Sequence, residues 1–497
     1  MPNVNLDALL NQCHIPVLLG DTPDWPIRAV TDNSKACNAE TLFVAIRGQK
    51  ADGHDFLAEA AERGARVALV SQSDAPAPPG LRLLTVANTR RALALAAQCL
   101  AGDPTREMLV LAVTGTNGKT TVTYLLEAIF RAAGLKPGVI GTISYRWDGH
   151  DEPAPQTTPS PLELADRLAR MKADGVGAVA IEVSSHAIDQ CRADGIHFRA
   201  AALTNLTQDH LDYHATMDAY GRAKERLFSE MLADCPGAVA VLNLDDAAGR
   251  RFVQTNRAAR TMGYSLYHPE AELLVQSIFF HAGGMRLDAA YQGRPLAIES
   301  PMHGLFNAVN CLTAAGLALA AELPLEAIQA GCAAMPGAPG RFEFIQAGQS
   351  FPVIVDYAHT PDSLTQALLY ARGFARRHLI AVIGCGGDRD PGKRPLMGRA
   401  AARLADEVIV TNDNPRTEEP TAIAEAIVEG IKQGAGAGLQ WHVQLDRREA
   451  IRQAIARATA DDAVIIAGKG HEDYQILGTT KHHFDDREEA RAAAARR

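Results

Sequence analysis

Short apolar runs alternate with amphipathic segments through the middle of the chain, and this alternation predicts the fold. The runs lie at 109–113, 138–143, 178–183, 200–204 and 238–243. Each is followed by a polar loop and then by a segment with helical periodicity. Repeated strand–loop–helix succession is typical of a mostly parallel sheet covered by helices. Residues 270–298 break this rhythm with alternating runs near "GG" and "QG", which predict an antiparallel β addition to the sheet.

The same alternation returns in the last third of the chain. Apolar runs at 352–356, 379–383, 407–410 and 463–467 end in the polar loops "DYAHTPD", "GCGGDRDPGKR", "TNDNPR" and "GKGHEDYQ". Ligands bind beyond the carboxyl ends of strands in open parallel sheets. These loops therefore predict a second ligand surface, separate from any in the middle of the chain.

Length and linker composition predict three domains, since 497 residues correspond to about 150 residues per domain. The polar "AGDPTREM" (101–108) and the Pro/Gly-rich "AAMPGAPGRFE" (333–343) mark the boundaries. We predict a smaller N-terminal α/β domain at 1–105, a central domain at 106–336 and a Rossmann-like C-terminal α/β domain at 337–497.

Composition narrows the class of protein. The chain is 47% hydrophobic, carries a net charge of −9 and has a pI of about 6.0, which argues against a general binder of nucleic acid or anionic membranes. Eight cysteines without a CxxC pair indicate reduced, mostly buried thiols. The start "MPNVNLDALLNQC" lacks a signal-peptide pattern, and no run of about 18 apolar residues occurs. We therefore expect a cytoplasmic protein.

"VTGTNGKTT" (113–121) lies between an apolar run and a helical segment, as a phosphate-binding loop requires. Glycines let backbone N–H groups approach oxygens, the helix start favours negative charge, and a lysine neutralises phosphates. The alternative is a tight turn, and Val113 stands where the usual first glycine would be. The candidate nucleotide ligands are Gly115, Thr116, Asn117, Gly118, Lys119, Thr120 and Thr121.

Oxygen ligands for Mg²⁺ are expected near this loop. Glu182 ends the apolar run "GAVAIE", and His210 lies in "TNLTQDHLDYH" after the next run. Each alone would be a strand-end charge or a structural histidine. Because both should share one sheet edge with Lys119, they are candidate metal ligands together with the Thr120 hydroxyl.

A series of motifs, in order, resembles a known family. "GTNGKTT", "EVSSH", "TNLTQDHLDYH", "HGLFNAVN", "GRFE", "DYAHTPDSL", "GCGGDRDPGKRP", "DNPR" and "GKGHEDYQ" closely resemble those of the Mur ligases of peptidoglycan synthesis, over about residues 28 to 487. The resemblance is strongest to the members that add meso-diaminopimelate to UDP-N-acetylmuramoyl-L-alanyl-D-glutamate. It implies a monomeric, ATP- and Mg²⁺-dependent amide ligase that activates a carboxylate as an acyl phosphate.

The resemblance also implies roles for single residues around the nucleotide. Lys119 would hold the γ-phosphate, and Thr120, Glu182 and His210 would serve Mg²⁺. Lys224, which by pattern alone would be a solvated helix residue, matches a carbamylated lysine that serves a second Mg²⁺. Asn307 matches an adenine contact and Asp356 matches a ribose contact. Arg341 matches a phosphate contact, although by pattern alone it could be a charge at the domain boundary.

The UDP-sugar dipeptide is expected between the first two domains. Family contacts to the uridine diphosphate portion match Asn33, Ser34, Gln49, Lys50 and Ala51. Contacts to the sugar-peptide match Gln156, Thr157, Thr158, Ser184, Gln190 and Arg192. Asp32 stands where the family has a hydrophobic contact, and "PQTTPS" alone would be a plain Pro-bounded loop.

Diaminopimelate carries a second amino-acid head, whose carboxylate suits a guanidinium fork and whose ammonium suits oxygen acceptors. Arg389 and Arg416 are the candidate forks, and Asp413, Asn414, Gly468 and Glu472 the candidate acceptors. Pro415 completes "DNPR", which alone would be a turn before a helix.

Rival interpretations stay open at this point. One is a lysine-adding, other Mur or folylpolyglutamate-type ligase. A P-loop switch or transport ATPase would explain "TGTNGKTT" but not the polar loops of the last third, and a pure binding protein would leave Glu182 and His210 unexplained.

Overall fold

The computed structural model describes residues 4–48, 51–281, 283–436 and 438–497. Three sheets covered by helices follow one another along the chain. The predicted α/β class with a mixed central sheet is confirmed. Among the described residues, no helix is long and apolar enough to cross a membrane.

The first sheet belongs to the N-terminal part of the chain. Its elements, with two short strands beside it, are β1 (Val4–Asn5), α1 (Leu6–Gln12), β2 (Val17–Leu19), β3 (Pro26–Ile27), β4 (Ala29–Thr31), β5 (Thr41–Val44), α2 (Leu57–Glu62), β6 (Val67–Val70), β7 (Arg82–Val86) and α3 (Thr89–Leu100). In the described part, the strand order is β2-β7-β6-β5-β4. Only β2 runs antiparallel to its neighbour.

The second sheet is the largest. Its elements are β8 (Leu109–Thr114), α4 (Lys119–Ala132), β9 (Pro137–Ile140), β10 (Ser144–Trp147), β11 (His150–Pro153), α5 (Pro161–Ala173), β12 (Ala178–Glu182), α6 (Ser185–Asp189), β13 (Ala200–Leu203), α7 (Leu211–His214), α8 (Met217–Arg226), β14 (Val239–Asn243), α9 (Ala247–Thr255), β15 (Arg260–Ser265), β16 (Leu273–His281), β17 (Gly284–Tyr291), β18 (Arg294–Ser300), α10 (Leu305–Ala320) and α11 (Leu325–Ala334). The order within the described ranges is β11-β10-β9-β12-β8-β13-β14-β15-β16-β17-β18.

Direction changes divide this sheet. The strands from β9 to β16 in that order are parallel, while β16, β17 and β18 pair antiparallel. The predicted antiparallel addition at 270–298 is therefore confirmed. β15, "RTMGYS", was not predicted because its mixed polar and apolar residues form no apolar run.

The remaining elements form the third sheet with its helices and a separate two-stranded sheet of the last two strands. These are β19 (Glu343–Phe344), β20 (Val353–Asp356), α12 (Pro361–Arg372), β21 (Leu379–Ile383), α13 (Lys393–Leu404), β22 (Glu407–Val410), α14 (Pro420–Gly434), β23 (Gln440–Val443), α15 (Arg447–Arg457), β24 (Ala463–Ala467), β25 (Tyr474–Leu477), β26 (Thr480–His483) and α16 (Asp486–Ala494). In the described ranges the order is β19-β20-β24-β21-β22-β23, parallel from β20 onward. β23 was not predicted, since this edge strand, "QWHV", is mostly exposed.

Helix α4 shows how the apolar pattern becomes a core. Val122, Leu125, Leu126, Ile129 and Phe130 are fully buried, as the pattern predicts. They face a cluster that includes side chains of α10 and α11. Gly331 of α11 lets the two helices approach closely, because a Cβ there would lie 2.5 Å from the Ile129 Cα. This packing fixes the helix whose first turn follows the phosphate loop.

The C-terminal segment "DDREEARAAAARR" is not the simple solvated helix that its composition predicts. Asp486 is fully buried and binds the fully buried Arg447 through both carboxylate oxygens, each at 2.7 Å. Arg447 also donates to the carbonyls of Asn412, at 3.3 Å, and Ala467, at 3.1 Å. The last helix therefore anchors the ends of β22 and β24.

The thiols follow the sequence-based expectation. All eight cysteines lie in the described ranges and are free, and each is buried except the partly exposed Cys99.

Asp486→Ala should destabilise the C-terminal sheet, since it leaves the Arg447 charge buried and unpaired. Removing one partner of a buried ion pair costs about 3–5 kcal/mol. Native-state hydrogen exchange of β24 should report an opening free energy lowered by about that amount. The control is Asp461→Ala, because Asp461 pairs with Arg376 at 3.8 Å on the exposed surface. We expect a loss below about 1 kcal/mol there; equal losses in both variants would contradict the prediction.

Candidate active site at the carboxyl edges of two sheets

The phosphate loop lies between β8 and α4. Gly115 and Gly118 have φ values of 147° and 90°, which favour glycine. A Cβ at Gly115 would also overlap the Thr204 hydroxyl. The Lys119 Nζ folds back over the loop and donates to the carbonyls of Gly115, at 2.8 Å, and Thr116, at 2.9 Å. Burial lowers the pKa of Lys119, with Glu182 opposing that effect.

Neighbouring strands hold this loop in place. The Asn117 N–H donates to the Asn205 side-chain oxygen at 2.9 Å, and the Asn117 carbonyl accepts from the Thr204 hydroxyl at 2.6 Å. The Thr116 hydroxyl donates to the Thr207 carbonyl at 3.1 Å. Thr120 and Thr121 are buried in the first turn of α4. The loop is thus braced from the next strand before any ligand binds.

Glu182 lies beside the loop because β12 pairs with β8, which places Glu182 opposite Val113. Its side chain is fully buried. One carboxylate oxygen accepts the Thr142 N–H at 2.9 Å. The other accepts the hydroxyls of Thr142, at 2.8 Å, and Thr120, at 3.2 Å. The predicted metal ligands Glu182 and Thr120 are therefore in direct contact.

His210 starts α7 with a φ of 55°. Its Nε2 lies 3.5 Å from an Asp209 carboxylate oxygen, and its side chain is 39% exposed. Burial lowers the pKa of His210 to about 3, even though the Asp209 charge acts to raise it. The imidazole is therefore neutral near pH 7, the form that binds a metal ion.

Lys224 is buried, so the solvated position expected from its helix pattern alone is wrong. It is 1% exposed, because α8 packs its Lys224 face against the phosphate loop. Its Nζ donates to the Gly115 carbonyl at 2.9 Å and lies 4.7 Å from the centre of the Tyr220 ring. Burial first, and then the charge of Lys119, lower the pKa of Lys224 well below its ordinary value.

The C-terminal part of the chain reaches the loop through Arg341. This guanidinium donates to the Thr120 hydroxyl at 3.2 Å and stacks over Tyr357, 4.3 Å from the ring centre. Asp356, at the end of β20, accepts the Phe342 N–H at 2.7 Å. Burial raises the pKa of Asp356 to about 6, with Arg341 opposing it.

A cleft of about 360 Å³ opens beside these residues. It is lined by Asn307, Arg341, Phe342 and the Pro336–Pro339 segment, among others. The Asn307 amide donates to the His303 carbonyl at 2.8 Å and its oxygen accepts from Asn310 at 3.0 Å. The structure therefore places the predicted adenine and phosphate contacts, Asn307 and Arg341, on one cleft.

Arg192 joins three of the other residues predicted for the sugar-peptide. Its guanidinium donates to the Gln156 side chain, to the Thr158 carbonyl at 3.0 Å and to the Gln190 oxygen at 2.7 Å. Thr158 in turn accepts the Ser184 N–H at 3.2 Å. Thr157 lies next to this group, 3.1 Å from the Thr142 hydroxyl.

The predicted uridine contacts lie on the first sheet. The Asn33 oxygen accepts the Lys35 N–H at 3.1 Å, and the buried Ser34 hydroxyl donates to Glu59 at 2.6 Å. Ala51 is exposed. Gln49 and Lys50, predicted for the same portion, lie outside the described residues.

The amine-site residues come together beyond β21, β22 and β24. Arg416 has a φ of 53°, and its guanidinium donates to the Gly387 carbonyl at 2.7 Å. It forms no ion pair with an Asp or Glu of the described residues, which leaves its charge available. Arg389 is exposed on the neighbouring loop and donates to the Asp388 carbonyl at 2.9 Å.

Asn414 does not have the free acceptor that the sequence suggested. Its side-chain oxygen already accepts from the Lys469 Nζ, at 3.2 Å, and from the Ile476 N–H, at 2.9 Å. Its amide donates to a Glu472 carboxylate oxygen at 2.8 Å. Asn414 therefore orders the loops rather than offering its oxygen to a ligand.

The Asp413 carboxylate oxygens remain available as hydrogen-bond acceptors. Within the described ranges, its buried carboxylate receives no hydrogen bond, although it lies against the backbone of Gly468, where a Cβ would be 2.6 Å away. Pro415 is buried, and its carbonyl oxygen packs so closely against Gly387 that a Cβ there would lie 1.9 Å from it. Glu472 differs from Asp413, because one of its carboxylate oxygens already accepts from Asn414 at 2.8 Å and from Lys469 at 3.0 Å.

Sequence reasoning missed two residues of these sites. Thr142 holds both oxygens of Glu182, and Lys469 holds Asn414 and Glu472. The available signal was the position of Lys469 between Gly468 and Gly470 in a loop directly after a buried strand. Nothing in the sequence separates Thr142 from other loop threonines.

Family models cover most of the chain. They match a Mur ligase family catalytic domain at 26–101, a Mur ligase middle domain at 113–318 and a Mur ligase glutamate ligase domain at 340–470. The chain is 43% identical over 491 residues to a UDP-N-acetylmuramoyl-L-alanyl-D-glutamate--2,6-diaminopimelate ligase from Geobacillus kaustophilus, covering 97% of this chain and 98% of the relative. It is 42% identical to the enzyme of that name from Gloeobacter violaceus, covering 100% and 99%.

The chain belongs to the Mur ligase family, whose members are ATP-dependent ligases. A solved structure titled as the same kind of diaminopimelate ligase superposes with a TM-score of 0.71 at 33% identity, covering 99% of both chains. A folylpolyglutamate synthase from Mycobacterium tuberculosis, solved with ADP and AMPPCP, shares the fold at a TM-score of 0.61 and 22% identity, covering 76% of this chain and 92% of that one.

Proposed function

We propose that this chain joins meso-diaminopimelate to UDP-N-acetylmuramoyl-L-alanyl-D-glutamate with hydrolysis of ATP to ADP and phosphate. The observation that carries the proposal is the C-terminal loop cluster, where the Arg416 guanidinium has no carboxylate partner among the described residues and the loops also carry the buried Asp413 and the partly buried Glu472. The near-full-length similarity to ligases with this name supports it. We further propose a cytoplasmic monomer with domains at 1–105, 106–336 and 337–497.

The first step activates the substrate carboxylate, which is a poor electrophile. A carboxylate oxygen attacks the ATP γ-phosphorus, ADP leaves, and an acyl phosphate forms. Such a step needs positioning and charge neutralisation more than a protein nucleophile. The loop amides, Lys119 and Arg341 supply the positive field, since all three lie around Thr120 at the start of α4. Arg192 and its partners hold the sugar-peptide at the same sheet edge.

The donor set beside the loop fits Mg²⁺, which prefers oxygen ligands. Glu182, Thr120 and, at His210, one neutral nitrogen would hold one ion, and Lys224 as a carbamate would serve a second. Bound Mg²⁺ would neutralise phosphate charge during transfer. Glu182 reaches this role with both oxygens already oriented by Thr142 and Thr120.

In the second step the amine of diaminopimelate attacks the acyl carbon, and phosphate leaves as the amide forms. Arg416 and Arg389 would grip the carboxylate of the far head, with the Asp413 and Glu472 carboxylates near its ammonium. Lysine lacks that carboxylate and would leave the guanidinium unpaired. A P-loop switch would not need these loops, and its phosphate release would not depend on both the muramoyl dipeptide and an amino acid.

Arg416→Ala should raise the KM for diaminopimelate by about a hundredfold to a few thousandfold, because losing a buried charge partner costs about 3–5 kcal/mol. The KM for ATP should change little, because Arg416 lies away from the phosphate loop. Steady-state phosphate release, with each substrate varied in turn, measures both constants. Wild-type enzyme should prefer diaminopimelate over lysine by the same factor.

Arg376→Ala is the matched control, since Arg376 is 87% exposed on the same part of the chain. Comparable wild-type turnover on lysine, or equal effects of the two variants, would count against a selector role for Arg416.

Gly141→Ala should weaken the response to Mg²⁺. A Cβ at Gly141 would lie 2.5 Å from a Glu182 carboxylate oxygen and must displace it. We expect a higher Mg²⁺ concentration for half-maximal turnover, with the KM for diaminopimelate little changed. Gly177→Ala is the control, because its Cβ would meet only Leu135 at 3.7 Å. If both variants need the same Mg²⁺ concentration, Glu182 is not the ligand.

Lys224 should carry a carbamate. A neutral amine is the form that reacts with carbon dioxide, and burial favours that form of Lys224. Carbon-13 NMR of enzyme incubated with labelled bicarbonate should show a carbamate signal that Lys224→Met abolishes. Wild-type enzyme without such a signal would refute the assignment.

A further inference from the structure

Lys469 is a fully buried cation in the amine-site loops, with no exposed side-chain surface. Its Nζ donates to the Asn414 oxygen at 3.2 Å and to a Glu472 carboxylate oxygen at 3.0 Å. A buried charge is costly unless it is paired and hydrogen-bonded. Both of its hydrogen-bond partners belong to the proposed diaminopimelate site. The Lys469 charge therefore affects the electrostatics of that site.

Backbone geometry holds Lys469 inward. It lies between Gly468 and Gly470, whose φ values are 122° and 52°. Both values favour glycine, and a Cβ at Gly470 would lie 2.6 Å from the Gly340 carbonyl and from Tyr357. The Lys469 carbonyl accepts the Glu472 N–H at 2.9 Å, which closes the turn. The ammonium therefore cannot swing to solvent without opening the loop.

Three charges meet at this point. Asp413 is a buried carboxylate, Glu472 is a partly buried one, and the Lys469 ammonium binds Glu472 directly. Burial acts to raise the pKa of Asp413, but Lys469 and Arg447 outweigh it and hold that pKa below its ordinary value. Burial and the charge of Asp413 raise the pKa of Glu472 in spite of Lys469. Without Lys469, these two carboxylates would repel each other.

Resting on the proposed function, we propose that Lys469 is the positioning residue that prepares this site for the ammonium of the amino-acid substrate. Its charge offsets one of the two carboxylate charges, so the ionised forms of the three groups sum to a net charge of about −1 that one substrate ammonium can balance. Its hydrogen bonds turn the Asn414 oxygen inward and aim the Asn414 amide at Glu472. Lys469 thereby selects a substrate without contacting it.

Lys469→Met tests this because methionine keeps a similar length and loses the charge. We expect the KM for diaminopimelate to rise about ten- to hundredfold, the range for a lost charge-assisted hydrogen bond. The KM for ATP should stay near the wild-type value. Lys469→Arg keeps the charge and should recover part of the affinity. Glu472→Gln in the Lys469→Met background should add less than it does alone, because there it also removes the Asp413–Glu472 repulsion that the loss of Lys469 leaves uncompensated.

Lys481→Met is the matched control. The Lys481 Nζ lies 3.7 Å from the centre of the Tyr474 ring, and Lys469 lies 5.3 Å from the same ring, yet Lys481 is exposed. We expect no change in either KM from this control. If Lys469→Met does not fold, Lys469→Gln, which can still donate a hydrogen bond, replaces it in the same assay.

The outcomes separate this proposal from the proposed function. Wild-type enzyme that does not use diaminopimelate would refute the function. Wild-type enzyme that does use it, with an unchanged KM for diaminopimelate in the Lys469 variant, would overturn the role of Lys469. Equal increases in the KM values for diaminopimelate and ATP would also overturn it, since they would show that Lys469 only stabilises the folded protein.

Discussion

Two lysine amines share one carbonyl oxygen at the centre of this molecule. Lys119 and Lys224 both donate to Gly115, at 2.8 and 2.9 Å. Burial lowers the pKa of both amines, and the charge of Arg341 adds to this effect at Lys119 while the charge of Lys119 adds to it at Lys224. An anion placed there relieves the repulsion, whether it is a phosphate or a carbamate. Three features hold these two amines together. They are the braced phosphate loop, the buried Glu182 and the α8 face that carries Lys224.

Parallel strand order supplies the rest of the site. β12 and β13 flank β8, so Glu182 and the segment before His210 arrive at the same edge as the phosphate loop. The third sheet repeats this arrangement with loops after β21, β22 and β24. Arg341 and the Asn117–Asp362 hydrogen bond, at 3.3 Å, connect the two edges. The candidate nucleotide site and the candidate amine site therefore both lie at the carboxyl ends of parallel strands, each on its own sheet.

Sequence pattern predicts what depends on local order. The apolar runs gave the buried strands, and the helix after "GTNGKTT" buries its predicted face. The burial of a single charged residue depends on partners far along the chain, which a local sequence pattern does not reveal. The pattern therefore failed to predict the burial of Lys224, Lys469 and the Arg447–Asp486 pair. Asn414 shows the same limit, because its oxygen is used by Lys469 and Ile476, which lie beyond any local motif. The roles carried over from the family resemblance stay predictions.

The anchored last helix connects the far end of the chain to the loops of the proposed amine site. Arg447 holds the carbonyls of Asn412 and Ala467, which directly precede Asp413 and Gly468. Shortening the chain before Asp486 would leave Arg447 without its partner and loosen both loops. A bulky fusion that strains α16 would act in the same way, so changes at the far end of the chain would reach the proposed amine site.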